Sequence, residues 1–338
     1  MTGTVLVTGG SGFIAGELID QLLAKGWHVH TTIRDKAREP ALRGRFADHD
    51  TRLKVFKADL MSDDGWAEAV AGCSHVAHVA SPLSAQTPKD ENDMIVPARE
   101  GTLRALRFAR AAGVKRFVQT SSIAAVAYGH DAKEITVTEA DWTDVNGADT
   151  TAYAKSKTIA ERAARDWVAA EGGDLEFVSV NPVMVLGPVE SADFSPSVLA
   201  VQQLLDGSAP MAPDIGFGVV DLRDVADLHV RCLEEPGLAG ERFIASGKFM
   251  TLHDIAQVLR AGLGDQARKA PTKQMPDWLF SIFALFNAPL RGLKASIGRV
   301  VHSDASHAEQ RLGWKTRAEE ESILDCGRSL IEHGVVKV

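Results

Sequence analysis

An apolar run, Thr4-Val-Leu-Val-Thr8, leads straight into Gly9-Gly-Ser-Gly12 and then into Phe13-Ile14-Ala15, the start of a segment with helical character to residue 24. A buried strand that ends in a glycine-rich turn and opens a helix limits the choice of fold. Glycines let a bound group approach the backbone, and the helix start offers unpaired N–H groups at the positive end of its dipole. The turn alone is a weak signal. Its place at the head of a repeating strand–helix pattern is what narrows the architecture.

That pattern continues. Residues 27–33, 53–57, 75–79, 115–120 and 176–180 read as further strands, the last closed by Asn181-Pro182. Helical segments at 13–24, 63–71, 92–112 and 151–170 alternate with them, and Gly26, Gly72, Gly113 and Gly172-Gly173 punctuate their ends. The expectation is an α/β fold: a doubly wound parallel sheet of the Rossmann type, covered by helices on both faces. After Pro182 the rhythm breaks. Residues 183–215 are rich in Pro, Ser, Gly and Asp, with one helical run at 198–206. Short strands at 218–222 and 242–245 flank a helix at 224–234, and helices are expected at 252–261, 277–298, 304–312 and 319–333. The expected division is a dinucleotide-binding domain of residues 1–182, rejoined by 216–246, and a smaller, mostly helical C-terminal substrate lobe made of 183–215 and 247–338.

Composition removes several classes of function. A net charge of -8 argues against nonspecific nucleic-acid binding. Cys73, Cys232 and Cys326 have neither metal spacing nor an even-numbered disulfide framework, so a reducing, cytoplasmic setting is expected. No charged leader precedes an apolar segment, and the run at 278–286 is too short to span a bilayer, so no membrane partner is expected. The histidines show no metal-binding spacing, and the Gly-x-Ser-x-Gly elbow of serine hydrolases is missing.

Within the frame of a dinucleotide fold, Gly9, Gly12, Phe13 and Ile14 form the phosphate-binding turn. Arg34 follows the second strand, where an acidic side chain would hold a ribose 2′-OH or an arginine a 2′-phosphate. With Lys36 and Arg38 nearby, and Asp35 one position late, the pattern favours NADP(H) over NAD(H). A solvated surface cluster is the alternative reading. Asp59-Leu60 ends the third strand and Val79-Ala80-Ser81 the fourth, at the carboxyl edge where ligands of such sheets bind. Asp59 suits the adenine amino group or the cap of the short helix after it.

Tyr153 and Lys157 lie four apart, so a helix puts them on one face. A lysine ammonium beside a phenol favours the phenolate and brings its pKa down toward a useful range for proton transfer. Ser121 and Ser122 end the fifth strand, where a hydroxyl can bond a substrate oxygen; the other of the pair is expected to satisfy loop backbone. The run Trp278-Leu-Phe-Ser-Ile-Phe-Ala-Leu-Phe286 reads first as a packed helix and second as the lining of an apolar substrate pocket.

Stretches spread along nearly the whole chain carry a resemblance: Val7-Thr-Gly-Gly-Ser-Gly-Phe-Ile14, Thr32-Ile-Arg-Asp35, Lys57-Ala-Asp-Leu60, His78-Val-Ala-Ser-Pro82, Pro97-Ala-Arg-Glu-Gly-Thr102, Thr120-Ser-Ser122, Tyr153-Ala-Lys-Ser-Lys157, Asn181-Pro-Val-Met-Val-Leu-Gly-Pro188 and Val220-Asp-Leu-Arg-Asp-Val-Ala-Asp227. Together they resemble the extended short-chain dehydrogenases/reductases, in particular the dihydroflavonol reductase and aldehyde/ketone reductase branch. The resemblance implies an NADP(H)-binding domain with Ser122 as catalytic serine, Tyr153 as acid/base, and Lys157 also holding the nicotinamide ribose. It further implies Arg34 as reader of the 2′-phosphate and Asn181, Pro182 and Val183 as cofactor contacts. One departure is Ala15 at the third glycine of the turn motif, with Gly16 displaced by one. The expected activity is reduction of small, apolar aldehydes or ketones to alcohols, by a monomer or homodimer. Two rivals stay open: an NAD-dependent sugar-nucleotide epimerase or dehydratase, and a non-catalytic NADP-binding redox sensor. The absence of Lys and Arg from 183–215 disfavours a diphosphate site, and the intact Tyr-Lys pair disfavours the sensor.

Overall fold

The computed structural model describes residues 3–82, 90–190, 195–286 and 293–337. Its first half runs β1 (Thr4–Val7), α1 (Phe13–Ala24), β2 (His28–Ile33), α2 (Glu39–Arg45), β3 (Leu53–Lys57), α3 (Trp66–Val70), β4 (His75–His78), α4 (Asn92–Ala111), β5 (Arg116–Thr120), β6 (Glu134–Val137), α5 (Ala152–Glu171) and β7 (Glu176–Pro182). The second half runs β8 (Met184–Leu186), α6 (Pro196–Asp206), β9 (Ala212–Pro213), β10 (Gly216–Asp221), α7 (Leu222–Glu234), β11 (Arg242–Ala245), β12 (Phe249–Thr251), α8 (Leu252–Leu263), β13 (Gln274–Met275) and α9 (Asp277–Phe286). It closes with β14 (Val300–Ser303), α10 (Ser306–Leu312) and α11 (Glu319–Glu332).

Seven parallel strands form one sheet in the order β11-β7-β5-β4-β1-β2-β3. The order reverses between β1 and β4, which makes the crevice beyond their carboxyl ends the topological switch point. Side chains alternate across the sheet with the period of two that a strand imposes. Val5 and Val7 join Leu18, Leu22, Val29 and Val225 on the face covered by α1 and α7. Leu6 points the other way, into a core with Trp66, Leu106, Phe117 and Phe177 beneath α4 and α5. Both faces are buried, so the fold is the expected doubly wound α/β arrangement.

A smaller unit has its own core. β12, β10 and β8 form a three-stranded sheet. Leu186 and Val219 from it pack with Val201 and Leu204 of α6, Ile255 and Leu259 of α8, and Ile323 and Leu330 of α11.

Several boundaries differ from the sequence reading. Residues 216–246 divide: β11 joins the large sheet beside β7 and α7 packs on α1, but β10 pairs with β8 and β12 in the small one. Part of 247–338 also leaves the lobe, because β14 pairs in parallel with β6, and Ala308 and Trp314 lie in the core of the large sheet. The short strands β6 and β14 carry no long apolar run; only their mutual pairing makes them strands. The helix expected at 63–71 begins at Trp66, after Gly65 at φ +80°. Of the helix expected at 277–298, α-helix runs over Asp277–Phe286, 287–292 lie outside the described residues, and 293–298 form a turn with a short 3₁₀ segment at Lys294–Ser296 instead of continuing the helix. That helix buries only Phe280 and Ala284, one turn apart, against Ile215, while Trp278, Phe283, Leu285 and Phe286 are exposed. No helix among the described residues is long and apolar enough to cross a membrane.

Candidate active site

The glycine-rich turn sits at the switch point. Gly9 has φ +74° and donates its N–H to Thr32 Oγ1 at 3.1 Å, while Gly10 donates to the Thr32 carbonyl at 2.9 Å. A Cβ on Gly9 would stand 3.1 Å from Ala80 Cα, so the turn presses against the end of β4. Ala80 N–H donates to Thr8 Oγ1 at 3.0 Å, and Thr8 Oγ1 is also bonded to His78 Nδ1 at 3.1 Å. The N-cap of α1, Gly12, is extended and provides no side-chain cap, so the N–H groups of the first turn at Phe13 and Ile14 find no side chain from it. This is a cradle of a kind that fits a pyrophosphate. Ala15 is fully buried, as the departure from three glycines requires. The displaced Gly16 makes room for Arg45: a Cβ there would stand 2.2 Å from Arg45 Nη1. Arg45 in turn pairs with Glu190 at 2.7 Å.

Beyond β2, Arg34 is exposed. Arg38 leans back to the turn and donates to Ser11 Oγ at 3.4 Å. Lys36 is engaged by Glu39 at 2.5 Å, and Asp35 accepts from its own chain at Ala37 N, 2.9 Å. The alternative reading of Asp59 as a helix cap is corrected. Its carboxylate accepts from Met61 N at 2.8 Å in a local turn, and α3 starts well downstream. Its carbonyl accepts from Trp66 Nε1 at 2.9 Å, which fixes the loop that carries Asp59 and Leu60 at the sheet's carboxyl edge.

The chemistry-bearing side chains converge from two elements. Thr151 caps α5 by accepting from Ala154 N, which sets Tyr153 in the first turn and Lys157 one turn on. Tyr153 Oη donates to Ser122 Oγ at 3.3 Å. Ser121 points the opposite way and donates to Glu161 Oε2 at 2.6 Å, so the two serines are told apart by geometry. Lys157 is buried, with Nζ 6.0 Å from the centre of the Tyr153 ring. Burial lowers the Lys157 ammonium to about 8, partly offset by Glu161. The lowered phenol expected for Tyr153 is not what the surroundings produce. Burial is the larger influence and pushes it up, and the Ser122 hydrogen bond only partly opposes that.

Sequence reasoning missed Glu161. It stands one further helical turn beyond Lys157, and that spacing on the same face was the available signal. Its carboxylate is fully buried and accepts from Ser179 Oγ at 2.8 Å, Asn181 Nδ2 at 2.9 Å and Arg242 Nε at 2.8 Å, besides Ser121. Burial alone would raise its pKa, but Arg242 and Arg165 hold it below the ordinary glutamate value. Asn181 also donates to the Ser122 carbonyl at 3.0 Å, so its amide faces inward, and its Oδ1 is buried without a partner. Pro182 ends β7, and Val183 donates its N–H to the Ala245 carbonyl at 3.1 Å from within the core. Val79 packs on the same core, and Ser81 follows Ala80 at the rim of the crevice.

Residues 5–244 match the NAD dependent epimerase/dehydratase family. Tetraketide alpha-pyrone reductase 1 of Arabidopsis thaliana is 32% identical over 339 residues, covering 98% of this chain and 96% of that protein. A dihydroflavonol 4-reductase of Gerbera hybrida is 34% identical over 266 residues, covering 76% of this chain and 72% of that protein. Among solved structures, the yeast methylglyoxal/isovaleraldehyde reductase Gre2 complexed with NADPH superposes with a TM-score of 0.81 at 23% identity, over 98% of this chain and 100% of that one, a likeness of fold.

Proposed function

Because the chain belongs to the NAD dependent epimerase/dehydratase family, we propose that it is a reductase that converts aldehydes or ketones to alcohols with NADPH. The observation that carries this reading is the Tyr153–Ser122 hydrogen bond at the carboxyl edge of the sheet, with Lys157 buried beside it. The uncapped start of α1, the approach of Gly9 to Ala80 and exposed Arg34 suit a dinucleotide with a 2′-phosphate. NADPH supplies the hydride when bound. The similarity to reductases from Arabidopsis thaliana and Gerbera hybrida supports the same assignment.

Ser122 Oγ bonds the substrate oxygen and holds it beside Tyr153. Tyr153 gives its proton to that oxygen as negative charge develops there. A phenol that burial keeps protonated at neutral pH is the form a proton donor needs, so the raised pKa suits reduction. Lys157 orients the ribose and places positive charge next to the phenol as the proton leaves. The missing Lys and Arg in 183–215 leave that part of the lobe without charge partners for a diphosphate, which favours apolar carbonyl compounds over nucleotide sugars. A panel of aldehydes, ketones and nucleotide sugars, read at the nicotinamide absorbance with NADPH and with NADH, tests the assignment. The expected result is NADPH-dependent turnover of apolar carbonyls. Turnover confined to nucleotide sugars overturns it in favour of an epimerase.

A further inference from the structure

Tyr153, Lys157 and Glu161 recur every four residues along α5 and form one stripe. The first two serve the reductase reading, on which the role of the third rests; Glu161 itself is fully buried within the protein. It instead gathers donors from three other elements: Ser121 at the end of β5, Ser179 and Asn181 on β7, and Arg242 on β11. Two of those donors reach onward to the segment that carries Ser122. Asn181 Nδ2 bonds the Ser122 carbonyl at 3.0 Å, and Arg242 Nη2 bonds the Ala125 carbonyl at 3.2 Å. Ser121, held directly, is the neighbour of Ser122 in the chain. The turn from Ser121 to Ala125 is therefore fixed at its first two residues and its last by groups that converge on one carboxylate.

We infer that Glu161 is a positioning residue for the reduction: it locks the Ser122 turn at a set distance from Tyr153, on whose helix it stands. The carboxylate suits this role better than a neutral group. Hydrogen bonds to an ionised acceptor are roughly twice as strong as neutral ones, and two carboxylate oxygens accept from several directions at once. Arg242 and Arg165 keep the group ionised in a site that water does not reach. Glu161 also acts on Lys157. Among the described residues, the charged or titratable groups around that ammonium include Tyr153 and Glu161 on its own helix and His78 on β4, with Arg165 and Arg242 behind Glu161. Of these the carboxylate favours the charged lysine.

The test uses Glu161→Gln, Glu161→Asp and Ser121→Ala beside Tyr153→Phe, in the full-length protein. For Glu161→Gln, kcat is expected to fall roughly ten- to a hundredfold while the Kd for NADPH, read by nicotinamide fluorescence, changes less than about twofold. The alkaline limb of the kcat profile should move to lower pH, because Lys157 loses the group that supports its charge. Glu161→Asp should recover part of the rate. A native kcat, or a lost kcat with an unmoved alkaline limb, overturns the inference. Glu161→Gln strands two arginines and can lose its fold. Ser121→Ala removes one link without stranding charge, and its kcat should drop about three- to tenfold with an unchanged circular dichroism spectrum. An unchanged kcat in Ser121→Ala likewise overturns the inference. Tyr153→Phe separates the two claims. If it is inactive while Glu161→Gln and Ser121→Ala keep native rates, only the role of Glu161 falls. If it keeps native turnover, the reductase reading falls with it.

Discussion

Tyr153 Oη stands 3.3 Å from Ser122 Oγ, and this one hydrogen bond joins the first turn of α5 to the end of β5. Both groups are held from behind. Thr151 caps the helix that carries the tyrosine, and Asn181 bonds the carbonyl of the serine. The pair has little freedom to separate, which is the condition under which a positioned acid and an oxygen-binding hydroxyl act together.

Tyr153→Phe removes the hydroxyl and leaves the ring packing in place. Turnover is expected to fall about 10²–10⁴-fold, the usual contribution of general acid catalysis, with NADPH affinity nearly unchanged. Steady-state kinetics paired with a direct measurement of cofactor binding checks this. Substantial turnover in a variant that binds NADPH normally would place the proton donor elsewhere.

Arg34→Ala should raise the KM for NADPH by roughly ten- to a hundredfold and leave that for NADH nearly unchanged, since charge-assisted hydrogen bonds contribute about 1.5–3 kcal/mol each. Lys36 is engaged by Glu39, so Lys36→Ala should matter less. Equal losses with the two cofactors would mean that Arg34 does not read the 2′-phosphate.

Gly9→Ala should damage the turn twice over. The residue sits at φ +74°, where a side chain costs about 1–2 kcal/mol, and its new Cβ would press on the Ala80 backbone at 3.1 Å. Urea unfolding should show a lower midpoint, and NADPH should bind more weakly. A native midpoint would mean that the β4 loop simply moves aside.

Acid should weaken the fold before the carboxylates titrate. Burial lowers His75 to about 4, His78 to about 3 and His229 to about 4. In the unfolded chain each takes a proton at about pH 6.5, so between that value and about pH 4 the unfolded state binds more protons than the native one. Stability therefore rises with pH across this window and falls as the pH drops through it. Urea midpoints taken in steps from about pH 7 to about pH 5 should decline. A flat series would show that these rings accept protons without unfolding.

Much of the large sheet was readable because its strands are short apolar runs punctuated by glycines, and because 13–24 has the length of a helix that covers a strand. Tyr153 and Lys157 were readable through their spacing. Which of Ser121 and Ser122 faces the tyrosine was not readable from the residues alone, since both end the same strand and only three-dimensional placement turns one toward Glu161. β6 and β14 were invisible for a similar reason. Glu134-Ile-Thr-Val137 and Val300-Val-His-Ser303 are distant in sequence, and neither has a strand's alternation over enough length to declare itself. The state of the Tyr153 phenol depends on burial, which spacing does not reveal.

The far edge strand β11 has a consequence for synthesis. Residues 4–182 supply six strands of the large sheet, and the seventh arrives only with Arg242–Ala245. At the pace of a ribosome, the intervening stretch of about sixty residues leaves the β7 edge bare for roughly 3–12 s, open to pairing with another nascent chain. The same late strand brings Arg242, one of the two counter-ions of buried Glu161. A chain that has emerged only as far as β7 already holds the tyrosine, the lysine, the serine and Arg165, yet lacks Arg242, the nearer of the two cations that keep its central carboxylate charged. Birth order thus makes the site one of the last parts of the large domain to mature.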